Sequence, residues 1–198
     1  EGVVETLATA GLQAQLAAGG SATVQARTEV TALDVEATGG AGGLAGAGGA
    51  QAEFNFTTMR TEVLLDGWSS LDAVGDVALS AVSVVDMSAF VSQDLGAVSS
   101  GASVWADVGT VTLTFVTVDD AARVSGRTVT ITASADKIWG LATSDCNVKG
   151  LTADVTSTTR VWYVITSTVW IDWKAKVEAR TALNVLAQAA DLNAVTSS

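Results

Sequence analysis

The stretch "TRVWYVITSTVWIDWKAKVEA", from Thr159 to Ala179, has an apolar side chain at every second position for nearly twenty residues. From Val161 onward this series has one exception, Ser167, and the positions between hold the charged side chains. Two-residue periodicity indicates a β-strand with one buried face, but strands usually have about 3–10 residues. We therefore expect either a bend at Thr166–Thr168 that divides the stretch into two strands, or one strand that continues onto a neighbouring molecule.

Shorter alternating runs fill most of the remaining chain at intervals of roughly ten residues, a rhythm that is typical of all-β proteins. Asp66-Gly67 and Asp119-Asp120 are turn signals between such runs. We predict a mainly β protein, an antiparallel β-sandwich or barrel-like fold of the jelly-roll type with long strands. The alternative is a β-solenoid, which the Thr-rich outer faces permit although no fixed repeat is visible in the sequence.

Three segments follow from the composition. Residues 1–37 form an N-terminal segment, helix or strand, that could be exchanged with a neighbour; residues 38–50, with seven glycines, form a flexible loop; residues 51–198 form the β-rich core domain. The segments 3–18 and 178–192 fit both the helical and the strand period. Because Ala, Leu and Gln favour helix, we predict short helices there, with strand as the alternative.

Charge excludes several classes of function. Only 16% of the residues are charged and the net charge is −11, whereas about a quarter of a soluble domain is ordinarily charged. Nucleic acids and anionic membrane surfaces require clustered Lys and Arg, which are scattered here. A neutral surface of Thr, Ser, Ala and Gly suits an extracellular or cell-surface protein that packs against copies of itself.

The side chains that carry most chemistry are missing. The sequence has no His and a single Cys, Cys146, so zinc sites built from Cys and His, Ser-His-Asp triads and intrachain disulfides are excluded. We expect Cys146 to be a small buried hydrophobic side chain, and we expect no enzymatic activity. No run of 18 apolar residues is present, so no transmembrane helix is expected.

Asp66, Asp72 and Asp76 are the best material for a metal site, because calcium takes oxygen ligands from acidic loops. They do not match the EF-hand pattern, and Asp at strand ends usually marks turns. We therefore expect no cofactor, with calcium at these three residues as the alternative. Asn55-Phe56-Thr57 is a glycosylation sequon that lies inside a strand pattern.

The tryptophans suggest where a partner could bind. Trp162 and Trp170 fall on the more polar face of the opening stretch, and Trp173 falls on the other. A large apolar group on a polar face needs a partner surface unless the strand is buried on both faces. We assign the assembly interface to these three residues together with Val24 and Val30 of the N-terminal segment.

The function expected from these observations is that of a secreted structural subunit. Copies of the chain would assemble through β-strand contacts into an extracellular filament, sheath or surface layer, by strand addition or by stacking of edge strands. The alternatives are an adhesin or carbohydrate-binding module, with tryptophan as the platform, and a viral shell or tail component.

Overall fold

A computed structural model describes residues 2–197, without the side chains of 2–3, 32–33, 54–57, 97 and 100. The described chain is almost entirely β-strand. Nine strands pair in the order β1-β3-β5-β6-β4-β2, with β7 on β5 and with β8 and β9 on β6. Their bounds are β1 (Gly2–Ala10), β2 (Gln15–Ala18), β3 (Ala22–Leu65), β4 (Ser70–Ala73), β5 (Val77–Val118), β6 (Arg123–Val148), β7 (Thr152–Ile171), β8 (Lys176–Ala189) and β9 (Leu192–Ser197).

Every strand pair is parallel, and the paired residues are 52 to 55 positions apart. Thr6 pairs with Thr61, Thr61 with Thr114, and Thr114 with Ser167. The prediction of an antiparallel sandwich is therefore wrong, since antiparallel strands would place neighbouring segments in opposite directions. The chain winds as a β-solenoid, the alternative, with one coil for about every 53 residues.

Each coil is a flat ribbon of two facing walls. The front wall consists of residues 45–65, 99–118 and 152–171, with β1 at its N-terminal end; the back wall consists of residues 22–43, 77–97, 129–148 and 182–197. The walls meet at an exposed corner, at Leu44, Val98 and Leu151. At the other edge a turn and a short strand, such as β2 or β4, connect them.

The first part of the opening stretch, Thr159–Ile171, belongs to the front wall. β7 has 20 residues and pairs with β5 along its whole length without a register shift. At about 3.3 Å per residue it spans roughly 66 Å, the full width of the ribbon. The bend expected at Thr166–Thr168 is absent; the strand ends at Ile171, and a turn begins at Asp172.

Equivalent turns stack at this edge of the ribbon, at Gly11–Ala14, Asp66–Ser69, Asp119–Ala122 and Asp172–Ala175. In each, the first carbonyl accepts a hydrogen bond from the fourth amide at 2.9 to 3.1 Å. Where the first residue is Asp, its Oδ1 also accepts from the next amide at 2.6 to 2.8 Å. The turn signals in the sequence are therefore turns, and they recur once per coil.

The terminal segments and the glycine tract are strand. The helices predicted at 3–18 and 178–192 are wrong, because β1, β2 and β8 occupy these positions. Residues 38–50 lie inside β3 and pair along most of their length with β5, so they are not a loop. Domain boundaries at 37 and 50 would both cut this continuous strand.

Glycine is needed in the tract because the walls come close together there. The Gln93 side chain, almost fully buried, crosses from the back wall to the front wall. A Cβ atom at Gly48 would overlap its amide nitrogen, and one at Gly39 would contact Ala50 and the Gln93 stem. The glycines therefore make room for a polar side chain in the interior.

The apolar core lies between the walls in two clusters. One, near the turns, contains Val63, Leu79 and Ile131; the other, toward the corner, contains Met59, Met87 and Ile138. All six side chains are completely buried. Two-residue alternation is thus explained, since every second side chain in each wall points into this interior.

A zigzag of hydroxyl groups crosses the core between the walls. Thr28 donates to Thr6 at 2.8 Å and Thr61 donates to Thr28 at 2.7 Å, while Ser83 lies 2.8 Å from the Thr61 hydroxyl and 2.9 Å from that of Thr114. The residues alternate between the two walls, so each hydroxyl joins two coils. Buried hydroxyls are stable only when they are hydrogen-bonded, and this arrangement satisfies them.

Residues that pair with one another in successive coils form a row. On the back wall the row of Ser83 continues with Ala135 and then with Ala189, so the zigzag of hydroxyls stops there. The Ser167 hydroxyl, which continues the front-wall row, is buried without a hydrogen-bond partner. Ala135 thus interrupts the pattern at the point where a hydroxyl would bridge Thr114 and Ser167.

We predict that Ala135→Ser stabilises the protein by about 1 kcal/mol, because the new hydroxyl gives Ser167 a partner. Urea unfolding followed by tryptophan fluorescence measures the change. The matched control is Ala133→Ser on the same strand, in a row of Ala26, Ala81 and Ala187, which should lose about 1–3 kcal/mol. Equal losses for both variants would contradict the zigzag.

Candidate functional site

The first coil of the described residues presents a strand edge. β1, β2 and the first part of β3 pair on one side only among the described residues. Val24 and Val30 point inward there and are partly exposed, whereas their row partners Leu79 and Val85 are completely buried. A groove of about 270 Å³ opens beside Val24 and is lined mainly by Leu16, Ala17, Ala18, Ala22 and Leu71. Apolar surface therefore lies open at this end.

Among the described residues, the last coil presents the opposite edge, formed by β7, β8 and β9. Inward-pointing Val169 and Val177 pack on the core but stay partly exposed. The unpartnered Ser167 hydroxyl belongs to the same end coil. Both ends of the described chain thus combine a strand edge with half-covered core side chains.

Tyr163 links the two walls of the last coil through a hydrogen bond. Its hydroxyl donates to the Asn193 carbonyl at 2.6 Å, which ties β7 to β9 across the ribbon. A Cβ atom at Gly140 would overlap the Tyr163 hydroxyl, so the glycine provides the space for this ring. Burial raises the pKa of Tyr163 to about 12 because the phenolate loses solvation between the walls.

The predicted interface tryptophans all belong to the last coil, but their side chains do not point into the interior at its strand edge. Trp162 and Trp170 lie on the outer face of the front wall, and Trp173 lies in a turn at the edge of the ribbon. Trp162 is partly covered, and its indole lies over Gly109 of the preceding coil, where a Cβ atom would overlap the ring. Trp170 and Trp173 are 60% and 81% exposed. The structure therefore separates these three residues from Val24 and Val30.

Ion pairs join successive coils on the outer surface. Arg160 of β7 forms a bidentate pair with Asp107 of β5, whose carboxylate is almost fully buried. This hydrogen bond raises the pKa of Arg160. Arg127 pairs with Asp76 at 2.8 Å and Lys137 with Asp86 at 3.1 Å. Sequence reasoning missed these pairs, since their only signal is opposite charge one coil apart.

The acidic residues considered for calcium are engaged separately. Asp66 accepts from the Gly67 amide in its turn, Asp72 accepts from Ser125, and Asp76 binds Arg127, which lowers the pKa of Asp76. Within residues 2–197, no group of three or more carboxylate, His or Cys side chains is placed to hold a metal ion. The geometry therefore gives no support to a calcium site at these residues.

Two further sequence features have no site around them. Asn55 lies in β3, and its side chain is outside the described part of the structure. Cys146 is a free, partly buried thiol whose pKa is raised by burial and by the nearby Asp145 and Asp94. A thiol with a raised pKa is less often the reactive thiolate.

Comparison with protein families, curated proteins and solved structures finds no match to this chain. No helix in the described residues is long and apolar enough to cross a membrane. The class that the geometry defines is a parallel β-solenoid with flat, wide coils.

We predict that Tyr163 titrates near pH 12 in the folded protein and near its ordinary value of 10 after unfolding. Because the folded pKa is the higher one, the stability from this group is complete below about pH 10 and is lost toward pH 12. Tyr163 is the only tyrosine, so near-ultraviolet absorbance of the phenolate reads it directly.

Tyr163→Phe is the control, since it should abolish both the absorbance change and this part of the alkaline destabilisation. A folded protein whose single tyrosine ionises near pH 10 would contradict the buried contact with β9.

Proposed function

We propose that this chain is a secreted structural subunit that stacks end to end with copies of itself, coil on coil. The product is an extracellular filament, sheath or surface layer held by β-strand contacts. The proposed role is mechanical and involves no catalysis. The observation that carries this proposal is the register, because a further coil of the same length would continue the strand pairing at either end of the described residues.

Register supports the stacking of copies. The N-terminal edge is made of residues 2–55 and the C-terminal edge of residues 145–197, so each contains one complete coil. Thr6 lies in the same row as Ser167, and Glu36 lies in the same row as Ser197. A second copy placed one coil further would continue every row of the ribbon. Head-to-tail contacts of this kind do not close, and they produce filaments.

Strand pairing and apolar burial would both stabilise the contact between stacked copies. Unpaired strand edges are templates for pairing with another chain. Stacking would cover the apolar groove beside Val24 and the half-exposed valines of the other end, and apolar burial stabilises by about 25 cal/mol per Å². Location outside the cell is part of the proposal and agrees with the low charge of the chain.

We predict that Val24→Lys prevents assembly without unfolding the subunit. At the open end of a single molecule the lysine can reach water, but in a stack its charge would be buried between coils. Electron microscopy and sedimentation velocity should show filaments for the original chain and monomers for this variant, with equal strand content by circular dichroism.

Gln25→Lys is the matched control. Gln25 follows Val24 on the same strand, is exposed, points outward and does not line the groove beside Val24, so this variant should assemble normally. A monodisperse monomer of the original chain at high concentration, or assembly by the Val24 variant, would reject end-to-end stacking.

A further inference from the structure

The front wall carries a groove on its outer face, and the groove extends to the C-terminal edge strand β7. It has a volume of about 240 Å³ and crosses three successive strands, β3, β5 and β7. Its lining consists of Arg60, Glu62, Phe115, Thr117, Thr168 and Trp170. A stacked copy would pair with the backbone edge of β7 and leave the outward direction of this face open, so the groove needs an explanation of its own.

Trp170 is the principal apolar surface of the groove. It lies in the row of Leu64 and Thr117, one coil beyond Thr117, and 60% of its surface is exposed. An indole left open on the outside of a sheet keeps a large apolar area in water, which a ligand with an apolar face would cover. Trp162, on the same face, differs because its ring covers Gly109.

Arg60 and Glu62 form the polar side of the groove and are held in place. Arg60 donates to Glu62 through Nε at 3.0 Å and through Nη2 at 2.6 Å. The guanidinium also lies over the Phe115 ring, 5.6 Å from its centre, in a cation–π contact. Two bonds and one stacking contact fix the donors that remain on Arg60.

The charge balance of the groove indicates a neutral ligand. Arg60 and Glu62 cancel each other, the other lining residues are uncharged, and Glu5, which lies 4.0 Å from Arg60 Nε, adds a negative charge that disfavours an anionic ligand. A nucleic acid or an anionic polymer would also meet a chain of net charge −11, which repels it. Fixed hydrogen-bonding groups beside one open aromatic ring suit a molecule with an apolar face and a rim of hydroxyls, and sugars have this form.

We propose that this groove binds a neutral carbohydrate. A sugar ring stacks on Trp170, and its hydroxyls bond to Arg60, Glu62 and the threonine hydroxyls. The volume is below the roughly 300–1,000 Å³ of pockets for drug-sized ligands, so the groove holds a short part of a polysaccharide that lies across the ribbon.

Affinity electrophoresis tests the proposal, with mannan, mixed-linkage β-glucan and dextran as neutral polymers and polygalacturonate as the anionic one. At least one neutral polymer should retard the protein. Trp170→Ala should weaken that binding at least tenfold, and Trp170→Phe, which keeps a ring, should weaken it less.

Trp68→Ala is the matched control, because Trp68 is equally exposed at 67% but lies in a turn outside the groove. It should bind as the original chain does. No retardation by any neutral polymer, retardation by polygalacturonate alone, or unchanged binding of Trp170→Ala would each overturn the proposal.

The groove is complete within one chain, so the monomeric Val24→Lys variant should bind the same polymer with the same intrinsic affinity. Failure of carbohydrate binding is thereby separated from failure of assembly, and each outcome is measured on a different surface of the molecule.

Discussion

Parallel, in-register hydrogen bonding between coils is the constraint on which the rest of this structure depends. Each residue lies beside its equivalents about 53 positions away, so a side chain that suits one coil must also suit its neighbours above and below. The core satisfies this with stacked aliphatic rows and with the hydroxyl zigzag of Thr28, Thr61 and Ser83. On the outside, inter-coil pairs such as Arg160 with Asp107 fix the register at places where Thr and Ser faces would tolerate a slip.

Stacking also overrides local preference, which explains where sequence reasoning failed. Residues 3–18 are rich in helix-forming Ala, Leu and Gln, yet β1 and β2 are strands because each pairs with a later coil. The glycine tract lacks side chains that favour strands, but β5 supplies its pairing partner, and Gln93 needs the space that glycine leaves. In both cases tertiary hydrogen bonds outweigh intrinsic propensities of about 1 kcal/mol per residue or less.

The sequence does predict strands, their inward faces and two of the turns, because two-residue alternation and Asp-led turns are local signals. It does not reveal the direction of strand pairing. Equivalent residues such as Arg60, Leu113 and Thr166 lie in one row but have side chains of different chemical types, so no sequence repeat is visible. The spacing of the turns at Gly11, Asp66, Asp119 and Asp172 was the usable signal for a coil of about 53 residues. The groove at Trp170 could not be predicted from the sequence, because its residues come together only when three successive coils stack.

A wide, flat coil links the two proposed properties of this protein. Walls of about 20 residues give each end a long edge of backbone donors and acceptors, which favours stacking, and give each side a broad face on which a groove can form. Stacked copies would repeat the Trp170 groove at regular intervals along one side of the filament. A polysaccharide that engages several grooves is held far more tightly than one groove could hold it, because each later contact is intramolecular. Weak binding by a single shallow groove is therefore compatible with firm attachment of an assembled filament.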